Sequence, residues 1–307
     1  MMRAVWSFWS KPFENHYHQS WFSDVHHLYA WVLSVETARK HYPRTALYTD
    51  DAGARLLVDR LGLEFEQVFT SLNALSKHDP DWWTLGKIHT YGAQTEPFVH
   101  IDNDVFLWEP LPSETESASV FAQNPEHFSD GIWYYHPEEF EEPLALCPRR
   151  WLPEEWRWYR SSGLPQRGEC CGVFGGHHVD FIQHYASQAL KLVEHPGNLP
   201  AWPSMKNRRF NSVVLEQYLL SACFEYHASR SDSPYRDLEI KYIFGSMEEA
   251  FDPKRSSQIR FTHLLGPSKR DSDNAYRLER RVRRDYPAHY ERCIESQHIF
   301  GQHCRQS

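Results

Sequence analysis

The sequence predicts an α/β protein built on a mostly parallel sheet, and three observations predict it. Short aromatic and β-branched runs alternate with helix-like stretches from Ala4 to Trp108, Gly, Pro or Asp punctuates the alternation, and no run is apolar enough for a membrane span. A βαβαβαβ order of this kind favours parallel strands with helices on both faces.

Each element has its own signal. Ala4 to Trp9 (AVWSFW) is a strand ended by Ser10, Lys11 and Pro12. Asp24 to Tyr42 carries Val25, Leu28, Tyr29, Val32 and Leu33 at helical spacing and closes before Pro43. Thr45 to Thr49 is a second strand stopped by Asp50, Asp51 and Gly53; Ala54 to Leu61 is a helix stopped by Gly62; Phe65 to Thr70 is a third strand. Trp82 to Gln94 reads as a helix and Pro97 to Trp108 as one long fourth strand. Residues 110–168 are acidic and rich in Pro and Trp, with only Ser119 to Ala122 strand-like, and are expected to leave the sheet and shape a cleft. Beyond them lie a strand at Cys170 to Gly176, a helix at His178 to Glu194, helical sequence from Phe210 to Tyr226, a strand at Gln258 to Leu265 and a charged helix pair from Asp273 to Phe300. The expected organisation is one domain over residues 1–272 and a helical extension over 273–307.

Composition narrows the function classes. With 33 Lys and Arg against 41 Asp and Glu, the formal charge is −8, which argues against general nucleic-acid binding. The six cysteines have neither zinc nor disulfide spacing and read as free thiols. The N-terminal MMRAVWSFWSKPF lacks the pattern of a secretory signal, so a cytoplasmic protein with no transmembrane segment is expected. Aromatic residues make up 15% of the chain, and such side chains serve both core packing and sugar stacking.

Two constellations carry chemistry. Asp102, Asn103 and Asp104 fall at the carboxyl end of the fourth strand, the edge where open α/β sheets bind ligands. If the chain is extended there, both carboxylates face one way and can share a hard cation; the same tripeptide also suits a solvated turn. The apolar flanks FVHI and VFLW favour the first reading. Downstream, His263, Gly266 and Lys269 are spaced His-x-x-Gly-x-x-Lys: a possible metal ligand, a point of close backbone approach and a cation for phosphate. Among 19 histidines, His263 also fits an ordinary strand position.

Together these segments resemble the glycosyltransferases of the GT-A fold, a Rossmann-like architecture. The closest likeness is to the glycogenin-like retaining family, with LGKIHTYGAQTEPFVHIDND, the downstream His-x-x-Gly-x-x-Lys, CCGVFGG and FNSVVLEQYLLSA in the family's order. Where the family pattern has Asn before Gly-Val, Asp before Gln and Pro-Trp after the Lys, this chain has Cys170 or Cys171, Glu216, and Arg270-Asp271. The resemblance implies transfer of a hexose from a nucleotide sugar, UDP-linked by expectation, to a glycan, lipid-linked or protein acceptor. Asp102, Asp104 and His263 would hold Mn²⁺, or Mg²⁺, against the departing diphosphate. Trp6, Phe8, Tyr48, Asp50, Lys87, Asn103, Gly266 and Lys269 would bind the donor, with Glu216 and Gln217 near the reacting sugar or acceptor. In the 110–168 stretch, Trp133, Trp151, Trp156 and Trp158 suit either stacking on an acceptor or a small packed subdomain. For Trp6 and Phe8 a core role is the other reading, and for Glu216 a place on the helix surface. A metal-dependent phosphoester hydrolase and a non-catalytic carbohydrate- or protein-binding module are the alternative functions.

Overall fold

A computed structural model describes residues 2–15, 20–131 and 134–296 of the chain. Its nine strands are β1 (Arg3–Phe8), β2 (Thr45–Thr49), β3 (Gln67–Phe69), β4 (Phe98–Ile101), β5 (Val105–Leu107), β6 (Val120–His127), β7 (Arg167–Gly176), β8 (Ile240–Tyr242) and β9 (Phe261–His263). Seven form one sheet in the order β3-β2-β1-β4-β7-β6-β8, and β5 and β9 form a separate two-stranded ladder. β1, β2 and β3 pair in parallel, as does β6 with β8, whereas β6 and β7 are antiparallel. The α/β class and the mostly parallel sheet are therefore as expected, with the antiparallel pair β6 and β7 making the sheet mixed. Among the described residues no helix is long and apolar enough to cross a membrane.

The chain divides into two compact units, with the boundary inside β4. The first comprises Met1–Pro80, His100–Pro110 and the chain from Ser256 onward, so the expected C-terminal extension groups with the N-terminal strands. It holds β1, β2 and β3, and a helix at Asp24–Ala38 buried along most of its length. That burial matches the apolar or small residues at most of its positions, and it encloses His26 and His27 as well. The helices Ser272–Asp285 and Pro287–Ser296 belong to the same unit, and Tyr290 of the second stacks on Tyr29 with ring centroids 5.5 Å apart.

The second unit comprises Asp81–Val99 and Leu111–Arg255. Residues 110–168 do not leave the sheet as expected, because they supply the eight-residue strand β6, buried over nearly its whole length. The strand was hidden by Pro125 and by polar side chains at Gln123, Asn124 and Glu126, all three buried. β7 carries glycine at Gly175 because a Cβ there would come within 2.0 Å of the Phe98 carbonyl oxygen. Helical chain from Arg208 to Ala228 contains a π-helical turn at Val214–Tyr218. Such a turn interrupts the regular hydrogen-bond ladder, and the Tyr185 hydroxyl donates to the Glu216 carbonyl there at 2.6 Å.

Candidate metal and anion site at the end of β4

The expected single strand over residues 97–108 is broken. β4 ends at Ile101, the chain turns through Asp102–Asp104 with the Val105 amide donating to the Asp102 carbonyl at 3.1 Å, and β5 then pairs with β9 instead of the main sheet. Alternation along an extended strand is thus not what brings the carboxylates together; a turn does. Its polar residues are not simply solvated, since Asp104 is 5% exposed.

The β5–β9 ladder assembles the site. Val105 pairs with His263 in antiparallel register, and the Leu264 amide donates to the Asp104 carbonyl at 3.0 Å. His263 Nε2 consequently stands 3.4 Å from Asp104 Oδ1, and Lys269 Nζ lies 2.5 Å from Asp104 Oδ2. The strand expected over Gln258 to Leu265 is only Phe261–His263, followed by a 3₁₀ turn at Gly266–Arg270 that returns Lys269 to the carboxylate. Gly266 has φ +45°, in the left-handed region, and a Cβ there would meet nothing, so backbone freedom rather than space explains the glycine. It is exposed.

Ligand atoms of Asp102, Asp104 and His263 all lie within 4.8 Å of one another. Asp104 Oδ1 is buried and accepts no hydrogen bond, and the Asn103 Nδ2 amide beside it is buried without a partner. Unpaired buried polar atoms are costly unless something else satisfies them. The donor set, two carboxylates and one imidazole, fits a divalent ion such as Mn²⁺. Burial by itself would raise the Asp104 carboxyl, but Lys269 and His263 outweigh it and hold it far below the ordinary carboxylate range. Asp104 is therefore ionised throughout the physiological range.

Several supporting residues had no recognisable sequence signal. Trp6 Nε1 donates to Ser34 Oγ at 2.9 Å, and Ser34 Oγ donates to the Asp102 carbonyl at 2.8 Å, which ties the turn to the Asp24–Ala38 helix. His100 Nε2 is 2.9 Å from Ser7 Oγ, and its Nδ1 is 3.7 Å from Asp102 Oδ1. Lys269 Nζ lies 5.4 Å from the Trp21 ring centre, within cation–π range. His27, fully buried and stacked on Phe13, has its pKa lowered to about 3 by burial and then by Lys269, so it stays neutral.

The expected donor aromatics are placed otherwise. Trp6 has no exposed surface and packs edge-on against Phe65; Phe8 is enclosed by Phe13, His27 and Trp31; Tyr48 stacks on Phe69. All three are core side chains with too little exposed face for a base. Asp50 is a structural cap: Oδ2 accepts from the Ser10 amide and hydroxyl at 2.9 and 2.8 Å, and Oδ1 accepts from the Gly53 amide at 2.8 Å.

In the second unit, Lys87 and Glu216 spend their charges on each other. Lys87 Nζ is 2.6 Å from Glu216 Oε1, the Tyr91 hydroxyl donates to the same oxygen at 2.8 Å, and Lys87 also donates to the Cys171 carbonyl at 3.1 Å. Glu216 is 1% exposed, so it lies in the interior and not on the helix surface, and its polar partner is an internal cation. Gln217 Oε1 accepts from the Tyr135 hydroxyl at 3.0 Å. Trp156 is also core; Trp151 lies under Lys191, and Trp158 meets the Tyr226 ring edge-on. Trp133 lies outside the described residues, as does Cys304, while the other five cysteines are buried free thiols.

Comparison with known proteins adds a family without a function. DUF6734, a family of unknown function, matches residues 2–296. The chain belongs to the DUF6734 family. No curated protein matches the sequence significantly.

Proposed function

We propose that this DUF6734 protein is a metal-dependent glycosyltransferase that moves a sugar from a nucleotide-sugar donor to a glycan, lipid-linked or protein acceptor. The observation that carries the reading is the convergence of Asp102, Asp104, His263 and Lys269, with a buried unbonded oxygen on Asp104. It lies beyond β4, whose neighbour β1 runs on to β2 and β3, so the strand order reverses there. Such a reversal is where open α/β sheets take phosphorylated ligands.

The chemistry follows from charge. In transfer, the bond between the anomeric carbon and the diphosphate oxygen breaks, the acceptor oxygen bonds to that carbon, and the acceptor proton leaves. Asp102, Asp104 and His263 would hold a divalent ion, which when bound would supply Lewis-acid neutralisation of the departing diphosphate. Lys269 adds ammonium donors beyond the one directed at Asp104, and Asn103 Nδ2 adds a neutral donor. Ser34 and the β5–β9 ladder hold these groups before substrate arrives, so little reorganisation accompanies charge development.

A thermal-shift screen of UDP, GDP, CMP and dTDP, each with and without Mn²⁺, tests this, because a ligand of the folded state raises the melting temperature. A shift that requires both nucleoside diphosphate and Mn²⁺ is expected, with UDP the leading candidate. No metal-dependent shift with any of the four would overturn the reading. Phosphate release without an acceptor would point instead to a hydrolase, and sugar binding indifferent to metal to a binding module.

A further inference from the structure

A second ligand-type cluster lies in the other unit, and neither the transferase reading nor the sequence motifs account for it. Glu155 stands in the first turn of the helix Glu154–Ser161, His184 within the helix Val179–Glu194, and His227 near the end of Leu219–Ala228. His184 Nε2 is 2.8 Å from Glu155 Oε1, His227 Nε2 is 3.7 Å from the same oxygen, and the two Nε2 atoms are 3.3 Å apart. We propose that Glu155, His184 and His227 form a binding site for a zinc-class divalent transition metal.

The triangle has the dimensions such an ion requires. Zinc binds imidazole nitrogen and carboxylate oxygen at about 2.0–2.2 Å, so neighbouring donors of a tetrahedral shell stand about 3.3–3.5 Å apart. The nitrogen pair matches that spacing, and the two nitrogen–oxygen distances bracket it. Two imidazoles whose Nε2 atoms converge on one point suit a metal better than they suit each other, since a metal accepts both lone pairs.

The surroundings also fit. His227 Nδ1 is 2.8 Å from Ser233 Oγ. With Nδ1–H donating there, the Nε2 lone pair is left for a ligand, as in histidine metal sites whose other ring nitrogen is held by a hydrogen bond. Tyr235 packs edge-on against His227, with ring centroids 5.1 Å apart, and limits its rotation. Glu155 is 5% exposed, and its Oε1 faces both imidazoles. The nearby cation Arg230 is balanced by Asp232 at 3.2 Å and Glu154 at 3.9 Å. With three protein ligands, a fourth position remains for water or an exogenous donor. Two nitrogens and one carboxylate also separate this site by preference from the oxygen-rich one beyond β4.

Cobalt(II) provides a direct probe because its visible ligand-field bands report tetrahedral nitrogen and oxygen ligation. Tag-free full-length protein, stripped with chelator, would be titrated with Co²⁺ and then Zn²⁺. The Asp104→Asn variant would be titrated alongside, so that the β4 site makes no contribution. About one Co²⁺ per chain, with visible bands displaced by Zn²⁺, is expected in the Asp104→Asn protein, and one further Co²⁺ per chain in the unaltered protein. The bands should disappear in His184→Ala/His227→Ala, and Ser233→Ala should weaken zinc about 10–100-fold through loss of the second hydrogen bond. Glu155→Gln, near-isosteric and leaving both imidazoles in place, provides a check by circular dichroism and titration, with weaker binding on an intact fold expected. Absence of bands in the Asp104→Asn protein, or unchanged stoichiometry in the histidine variant, would overturn the proposal. Neither result bears on the nucleotide screen.

Discussion

Two buried carboxylate–lysine pairs, one in each unit, use the same charges to opposite ends. Glu216 and Lys87 form a closed pair: their side chains are 1% and 10% exposed, and Tyr91 supplies a further donor to the carboxylate. Asp104 and Lys269 form an open pair: the lysine is 23% exposed and one carboxylate oxygen has no hydrogen bond. Pairing with lysine is therefore not what marks a functional carboxylate. The mark is an acceptor the protein has buried and left unspent, together with other ligand atoms aimed near it. By that criterion Glu216 is architecture, and Asp104 is the carboxylate of the two left open to a ligand.

The comparison is most readily broken by removing the carboxylates. Glu216→Ala leaves Lys87 charged in the interior and should cost about 3–5 kcal/mol of stability, read from urea unfolding. A loss below about 1 kcal/mol would show that the pair does not hold the second unit. Asp104→Asn should remain folded but lose Mn²⁺-dependent diphosphate affinity by roughly 100-fold, since an amide is a poorer ligand for a hard cation. Unchanged affinity would mean that the turn binds no metal. Lys269→Ala sharpens the contrast further: diphosphate binding should weaken by about tenfold, the loss of one exposed-side ionic contact, whereas free sugar binding should not move. A further effect concerns pH. His27 has a folded pKa of about 3 against an ordinary 6.5, so between those values the unfolded chain binds a proton that the folded chain refuses. Stability should fall as pH drops from 6.5 toward 3, by up to about 1.4 kcal/mol per pH unit. His27→Leu should flatten that slope in equilibrium unfolding across the same window.

How much of this was legible in the sequence depends on the reach of each interaction. β2 was read to the residue, and the helix Val179–Glu194 nearly so, because period and punctuation are local signals. The break between β4 and β5 was not legible, since FVHI and VFLW read as one hydrophobic run until a distant strand, β9, claims the second half. Only the start of β6 is legible, in Ser119 to Ala122, because Gln123, Asn124, Pro125 and Glu126 read as loop sequence although the three polar side chains are buried. Asp102, Asp104, His263 and Lys269 were found by type and spacing, yet the geometry that joins them came from a turn and a ladder. Of the two readings open for Trp6 and Phe8 the structure takes the core one, and sequence could not choose because an aromatic strand residue looks the same whether it faces a ligand or a helix. Glu155, His184 and His227 sit on three helices with no shared motif, and no local pattern announces them.

The β5–β9 ladder has a consequence for the order in which the molecule matures. Trp108 donates to Thr262 across 154 residues, and the bulk of the second unit is encoded between them. Closing so long a loop carries a large entropic cost, and contacts of high sequence separation form slowly. On the ribosome, a nascent chain can complete β1 through β4 and expose the Asp102–Asp104 turn long before His263 and Lys269 have been synthesised. Metal and diphosphate affinity should then arise last, after both units are made, so that binding competence certifies that synthesis has passed β9.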